Sequence, residues 1–234
     1  VNEILPECPD LCVGVHLNLI EGQALKSFTE IPMLTDVDGN FNNGFVQLLM
    51  KSHNKNFLEQ VEAEFRAQIE KILEYLKPAH IDSHVHTHAI PEIFKITCRL
   101  ADEYGIPFVR TQFERPYLTP SVVKHINFKY PINQIKVILL NSFSIKNKKT
   151  LAQYKNLKTN DYLVGVSYTG MMNNSTVENG LNALKTEENI LVESLIHPYY
   201  AKKQDEYLIT QNRDMKFKIE NMGFEFTTYK ELAK

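Results

Sequence analysis

Cysteine is scarce in this 234-residue chain: Cys8, Cys12 and Cys98 are the whole complement. Three thiols, odd in number and with no CxxC pair, exclude a disulfide framework and fit a reduced, cytoplasmic protein. An excess of charge is lacking too. Lys and Arg number 26 against 28 Asp and Glu, a net charge of −2, which gives no footing for duplex nucleic acid or for a membrane surface. No apolar run approaches the roughly 18 residues that a membrane span needs, and the N-terminal residues do not read as a secretory leader. The 9 Gly and 10 Pro gather into no linker, and there is no repeat or low-complexity tract. What remains is a globular composition, 43% hydrophobic and 23% charged, long enough to bury a core without staples.

The order of segments is more informative. Cys12–Leu19 is apolar, β-branched and without helical period, so it reads as a buried strand. Residues 21–44 form a turn-rich stretch with Pro32, Asp38-Gly39 and Asn43-Gly44, and loops of that length often serve as lids or binding loops. From Phe57 to Leu76 apolar residues recur in steps of three and four, Glu and Lys fill the other face, and Pro78 ends the run. That pattern predicts an amphipathic helix. Ala79–His88 reads as a strand, Pro91 to about Glu103 as a helix, Gly105–Arg110 as a strand, and Ile132 to about Tyr154 as mostly helix. Tyr162–Val166 and Ile190–Ile196 are further strands with a helix near Val177–Leu184 between them. A helix near Asn212–Asn221, a short strand at Phe224–Thr227 and a last helical turn follow. Strand and helix alternating at this spacing predict α/β architecture, with βα units around a mostly parallel sheet or barrel. We expect one domain over residues 1–234, with a distorted or incomplete TIM-barrel-like fold.

Chemistry concentrates in one place. Four of the eight His fall within nine residues, His80, His84, His86 and His88, with Asp82 among them. If Ala79–His88 is extended, the period of two puts all five on one face. An exposed edge strand with coincidental histidines is the bland alternative, and it would be preferred for a lone His. Five such side chains leading to a Pro-started helix instead point to a metal or catalytic centre at the C-terminal end of a strand. His-x-His on a strand can aim two imidazoles at one ion, with a carboxylate as ligand or orienter. His16, late in its own strand, offers an imidazole from a second element, although alone it would read as a rim histidine. His197 ends a third strand and is a candidate general acid, with a turn residue as its plain reading. His53 and His125 read as surface residues.

Other patterns carry less. Asp36-Val-Asp-Gly-Asn lacks the later acidic positions of a calcium loop and reads as a turn. Cys8-x3-Cys12 reads as two unrelated thiols. Tyr168-Thr-Gly-Met-Met172 is either a substrate-facing loop or a plain turn. Arg110 at a strand end either binds an anion or forms an ion pair. There is no nucleophile elbow, P-loop or dinucleotide fingerprint.

Several pieces, in order, resemble the YdjC-like carbohydrate deacetylases, the family that includes the chitooligosaccharide deacetylases. They are Gly14-Val-His-Leu-Asn-Leu19, Ile31-Pro-Met-Leu34 with Asp38-Gly39, Pro78-Ala-His-Ile-Asp-Ser-His-Val-His-Thr-His88, Ala101–Arg110, Tyr168-Thr-Gly-Met171 and Ile196-His-Pro198. The resemblance runs from about residue 10 to the C-terminus. It implies a distorted TIM-barrel-like fold and hydrolysis of the N-acetyl group of an amino sugar or chitooligosaccharide. It also implies a divalent metal held by His16, by His84 directly after Asp-Ser, and by an Asp near the N-terminus, with an adjacent Asp as general base. The family opens with a strand ending in that paired Asp and then a helix, and nothing before His16 matches it. We therefore expect a chain truncated by about one βα unit, roughly thirty residues, and Val1 in place of an initiator Met agrees.

On this reading a metal-bound hydroxide attacks the acetamide and the ion stabilises the oxyanion. His197 protonates the leaving amine. Asp82 orients a histidine or replaces the missing carboxylate. His86, Arg110 and Tyr168 are candidate substrate contacts, and Tyr168 and Tyr199 are rings that could stack on a sugar. The resemblance implies magnesium, whereas imidazole ligands suit zinc. Two rivals stand beside it. One is a metal-dependent phosphoesterase or amidohydrolase, because Asp-x-His-x-His also opens such barrels, usually on their first strand. The other is a sugar- or metal-binding relic without catalysis. A barrel short of its first unit should expose strand edges and apolar helix faces, so either aggregation or a homodimer is expected.

Overall fold

The computed structural model describes residues 5–120, 122–198 and 204–233; Val1 and Tyr199 lie outside them. The chain divides into two compact units. The first comprises Val1–Arg110, Lys146–Thr159 and Thr228–Lys234, and the second Thr111–Ile145 and Asn160–Thr227.

In the first unit, β1 (Val15–Leu17) leads through a long loop to α1 (Phe45–Lys51) and α2 (Lys55–Leu73). Then come β2 (His80–Ser83), α3 (Pro91–Glu103) and β3 (Phe108–Val109). The three strands pair in parallel in the order β1-β2-β3, with His16 opposite Asp82 and Ile81 opposite Val109. Parallel strands need crossovers, and α2 and α3 supply them. Helix α2 forms because Phe57, Val61, Phe65 and Ile69, one per turn, are all fully buried, and Asn54 caps it by accepting from the Phe57 N–H. Pro91 opens α3, where the lost N–H costs nothing, and Gly105 (φ 62°) follows its end. The long loop is tied down rather than loose. Buried Glu64 of α2 accepts from the Leu25 and Lys26 N–H groups at 3.1 and 3.0 Å, and antiparallel bridges join Gln23 to Asn40 and Thr35 to Phe41.

The stretch expected to be extended through His88 is not. Strand β2 stops at Ser83, and residues 84–89 curl into a 3-10 turn in which Val85 (φ 52°) and His86 (φ 58°) are left-handed. The cause is local. Ser83 Oγ accepts from the His88 N–H at 2.9 Å and pairs with His88 Nδ1, while His88 Nε2 lies 3.0 Å from the Arg110 carbonyl oxygen. The serine folds the chain back on itself and seats His88 in the core, fully buried. The shared face for five polar residues is therefore lost after Asp82.

In the second unit, α4 (Val122–Ile126) and α5 (Lys129–Leu151) precede β4 (Tyr162–Val164), α6 (Asn174–Asn182) and β5 (Val192–Ser194). Helices α7 (Gln204–Gln211) and α8 (Arg213–Asn221) follow, and the last turns of α5, from Lys146, count with the first unit. Strands β4 and β5 are parallel. Tyr117, Val164, Tyr168, Met172, Val177 and Leu181 are at the centre of the core. The expected strand at 224–227 is irregular chain leading to α9 (Tyr229–Leu232), back in the first unit. Helices α1, α4 and α7 were not anticipated. The fold is thus mixed α/β with parallel strands, and among the described residues its three-stranded and two-stranded sheets are not closed.

Candidate functional site

The register of β1 against β2 sets the site. Because His16 is opposite Asp82 on the adjacent strand, the imidazole Nδ1–H reaches Asp82 Oδ1 at 2.7 Å. The other Asp82 oxygen pairs with the Arg110 guanidinium, just past β3. Arg110 and Asp82 are both buried, whereas the His16 side chain is 56% exposed. Burial pushes the Asp82 carboxyl up, but the His16 hydrogen bond and the Arg110 charge outweigh it and hold the group well below the usual carboxylate range. Asp82 is therefore a permanent anion. It fixes the tautomer of His16 with the proton on Nδ1, which leaves Nε2 as a lone-pair donor.

His84, the first residue after β2, brings its ring to 5.8 Å from that of His16, centroid to centroid and nearly perpendicular. Its Nε2 is 3.2 Å from Glu21 Oε1. The sequence did not single out Glu21. Its signal was position, an acid at the start of the loop leaving the strand that carries His16, on the side where parallel sheets place their ligands. His86, in the left-handed turn, is half-buried. His80, at the start of β2, belongs to the packing at the other end of the strand. Its ring stacks on Tyr229 at 4.5 Å, and a β-carbon on Gly14 would come within 2.4 Å of that imidazole. Only glycine fits there. Burial lowers His88 to about 4, against the partly compensating bond to the Arg110 carbonyl, so it is neutral and structural at neutral pH.

Two candidates belong to the second unit. His197 donates its backbone N–H to buried Glu206 Oε2 at 2.6 Å, and its Nδ1 lies 3.3 Å from the same oxygen. Tyr168 is fully buried in that unit's core. Its hydroxyl accepts from the Thr119 N–H and is 2.8 Å from His125 Nε2, and its ring packs on Tyr117 and Tyr130, so it offers no open face for stacking. The turn before it is pinned by Glu114, whose buried carboxylate accepts from the Gly165 and Ser167 N–H groups and the Ser167 hydroxyl. Arg110, with its guanidinium on Asp82, has taken the ion-pair alternative. His125 is a partner of Tyr168 rather than a free surface residue.

What this centre can do follows from its donors. Two imidazoles converge, one of them backed by a carboxylate that is itself held charged by an arginine, an arrangement suited to binding a divalent cation. Among the described residues, no three His, Cys, Asp or Glu side chains are gathered to complete such a set.

A parallel βα sheet thus carries two converging imidazoles, one of them backed by a carboxylate, at the ends of its first two strands. The chain belongs to the YdjC-like protein family, whose model matches residues 2–232. A carbohydrate deacetylase of Halalkalibacterium halodurans is 38% identical over 115 residues, 49% of this chain and 47% of that protein. A chitooligosaccharide deacetylase of Escherichia fergusonii is 38% identical over 100 residues, 42% of this chain and 37% of that one. The chain thus matches less than half the length of these curated relatives. A crystal structure of a proposed cellobiose-phosphate cleavage protein from Enterococcus faecalis superposes with a TM-score of 0.73 and 22% identity. That alignment covers 100% of this chain and 82% of the other, a likeness of fold.

Proposed function

We propose that this protein is a metal-dependent carbohydrate deacetylase that hydrolyses the N-acetyl group of an amino sugar or chitooligosaccharide and releases acetate. The observation that carries this is the His16–Asp82 pair beside His84 at the end of the parallel sheet. His16, through Nε2, and His84 would hold the ion, and the remaining ligand lies outside the set described. When bound, such an ion supplies Lewis acidity and a water acidic enough to ionise near neutral pH. The residues contribute the rest. Asp82 keeps His16 in the ligating tautomer, and Arg110 keeps Asp82 ionised without offering it a proton. Glu21 is within reach of His84 to orient it or to take a proton from a neighbouring water. His197, whose Nδ1 is 3.3 Å from Glu206 Oε2, is the proposed general acid for the leaving amine. Imidazole donors favour zinc over magnesium, and the family resemblance favours magnesium.

The family match over nearly the whole chain supports a single deacetylase domain, and the parallel strands support a distorted, incomplete barrel. Three unpaired cysteines support a reducing, cytoplasmic setting. No helix among the described residues is long and apolar enough to cross a membrane.

The test is acetate release from a panel of N-acetylated amino sugars, with divalent ions added in turn and a panel of phosphate esters alongside. Acetate should appear, and His16→Gln should weaken ion binding by at least about 100-fold, read by calorimetry. Ion binding with no acetate from any sugar would overturn the deacetylase reading, and phosphate release would replace it.

A further inference from the structure

Helix α2 carries a polar row beside its apolar one. Gln60, Glu64 and Gln68, spaced by four, lie along one line of the helix. All three meet the backbone of the segment that leaves β1. Gln60 Oε1 accepts from the Met33 N–H at 2.8 Å, and the Glu64 carboxylate takes the Leu25 and Lys26 N–H groups. Gln68 grips Asn18 twice. Its Oε1 accepts from the Asn18 N–H at 2.9 Å, while its Nε2 donates to the Asn18 carbonyl oxygen and to Glu64 Oε1, each at 2.8 Å. A side-chain amide that meets both backbone groups of one residue does what a neighbouring strand would do. It does so just past β1, the edge strand of its sheet.

Asn18 passes that hold on. Its Oδ1 accepts from the Ile20 N–H at 2.9 Å, and its Nδ2 donates to the Glu21 carbonyl oxygen at 2.6 Å. The first bond closes an Asx turn, which bends the chain directly after the strand. The second fixes the backbone of the residue whose carboxylate meets His84. Had the strand continued, Glu21 would lie roughly 10 Å beyond Asn18; instead its Oε1 is 3.2 Å from His84 Nε2. The Glu21 side chain is 74% exposed, and an exposed pair of this kind contributes only about 0–1 kcal/mol. That is too little to draw a loop into place, so the position of Glu21 has to come from its backbone.

We propose that Asn18 and Gln68 are positioning residues of the metal site, holding Glu21 at His84 so that the imidazole is oriented before an ion arrives. The proposal rests on His84 being a ligand of the deacetylase's ion. A carboxylate kept at a ligating imidazole fixes the ring and raises its basicity, and here the carboxylate is itself kept by an amide from the middle of α2.

Heteronuclear NMR of the histidine rings in the ion-free chain tests this. Glu21→Gln should shift the His84 signals, and Asn18→Ala and Gln68→Met should each shift them in the same direction while those of buried His88 stay in place. Gln60→Met is the control, because it removes a bond of the same row, to Met33, and should leave His84 unmoved. Calorimetry of zinc and magnesium binding is the second readout. Glu21→Gln and Asn18→Ala should each weaken it by about 10-fold, and the double variant by no more than Glu21→Gln alone, because both remove one contact. His84 signals unchanged in Asn18→Ala and Gln68→Met would overturn the proposal, as would an equal shift in Gln60→Met or losses that multiply in the double variant. Unmoved signals in Glu21→Gln would overturn it too, since nothing would then be held at the ring. A parent chain that binds neither ion would remove the metal site and the proposal with it. The expected shifts and ion binding, with no acetate from any sugar, would leave the positioning intact and remove only the deacetylase.

Discussion

Asp82 shares its two oxygens between Arg110 and His16, and that division explains how one carboxylate can be both buried and charged. Removing the charge should be costly. Asp82→Asn takes the carboxylate away from the buried guanidinium, and a loss of about 3–5 kcal/mol is expected in urea unfolding. The double variant Asp82→Asn/Arg110→Met should recover much of it, because the stranded charge goes too. His88 makes a separate prediction. It takes up a proton at about 4 in the folded chain against an ordinary 6.5. Between those values the unfolded chain binds more protons, so stability falls as pH drops through that window and is unaffected above it. The full swing is about 3 kcal/mol, and His88→Gln should flatten the pH dependence of the melting temperature between 6.5 and 4. A variant with the same slope as the parent would remove His88 from the account.

At the scale of elements, the turn His84–Ala89 is the decisive piece. A continued strand would have carried His84 and His86 away along β2, but the turn keeps His84 beside His16. It holds two left-handed non-glycine residues, each costing about 1–3 kcal/mol, and Ser83 is the residue that holds it closed. Ser83→Ala should destabilise by about 1–3 kcal/mol, since it removes the hydroxyl that meets both the His88 N–H and Nδ1 in the core. Hydrogen exchange at the His88 amide should rise with it, whereas unchanged exchange would mean that the turn stands without the serine. Val85→Gly relieves that strain at an entropy cost of roughly 0.5–1 kcal/mol, so it should leave stability unchanged or raise it by up to about 2 kcal/mol in urea unfolding. The elements that were legible are those with local causes. Helix α3 was bounded by Pro91 and Gly105, and α2 by its apolar period and Pro78. The short helices α1, α4 and α7 carry too few turns for a period to emerge, and residues 224–227 alternate Phe with polar residues as a strand would but form irregular chain.

At the scale of the molecule, each unit has its own small parallel sheet and core, and Cys98 of α3 reports on the first. It is fully buried, and burial pushes its thiol up to about 12, so the reactive thiolate is doubly suppressed. A thiol reagent at mildly alkaline pH should label exposed Cys8 at once and Cys98 only at the rate of unfolding. Equal rates for the two would mean that the first unit opens far more readily than its packing implies.

The sequence by itself determined which residues could do chemistry. The cluster from His80 to His88, His16 on another strand and the scarcity of cysteine all follow from residue type and local spacing. Which of those histidines meet was decided by the tertiary structure. His16 and Asp82 are 66 residues apart and become neighbours only through strand register, Arg110 turns inward to the carboxylate, and Glu21 is drawn to His84 by a loop that Glu64 pins from α2. Periodicity describes one element at a time. A turn that sends His88 into the core while leaving His84 at the site depends on a single serine hydroxyl and on what packs behind it, and no pattern along the chain encodes that.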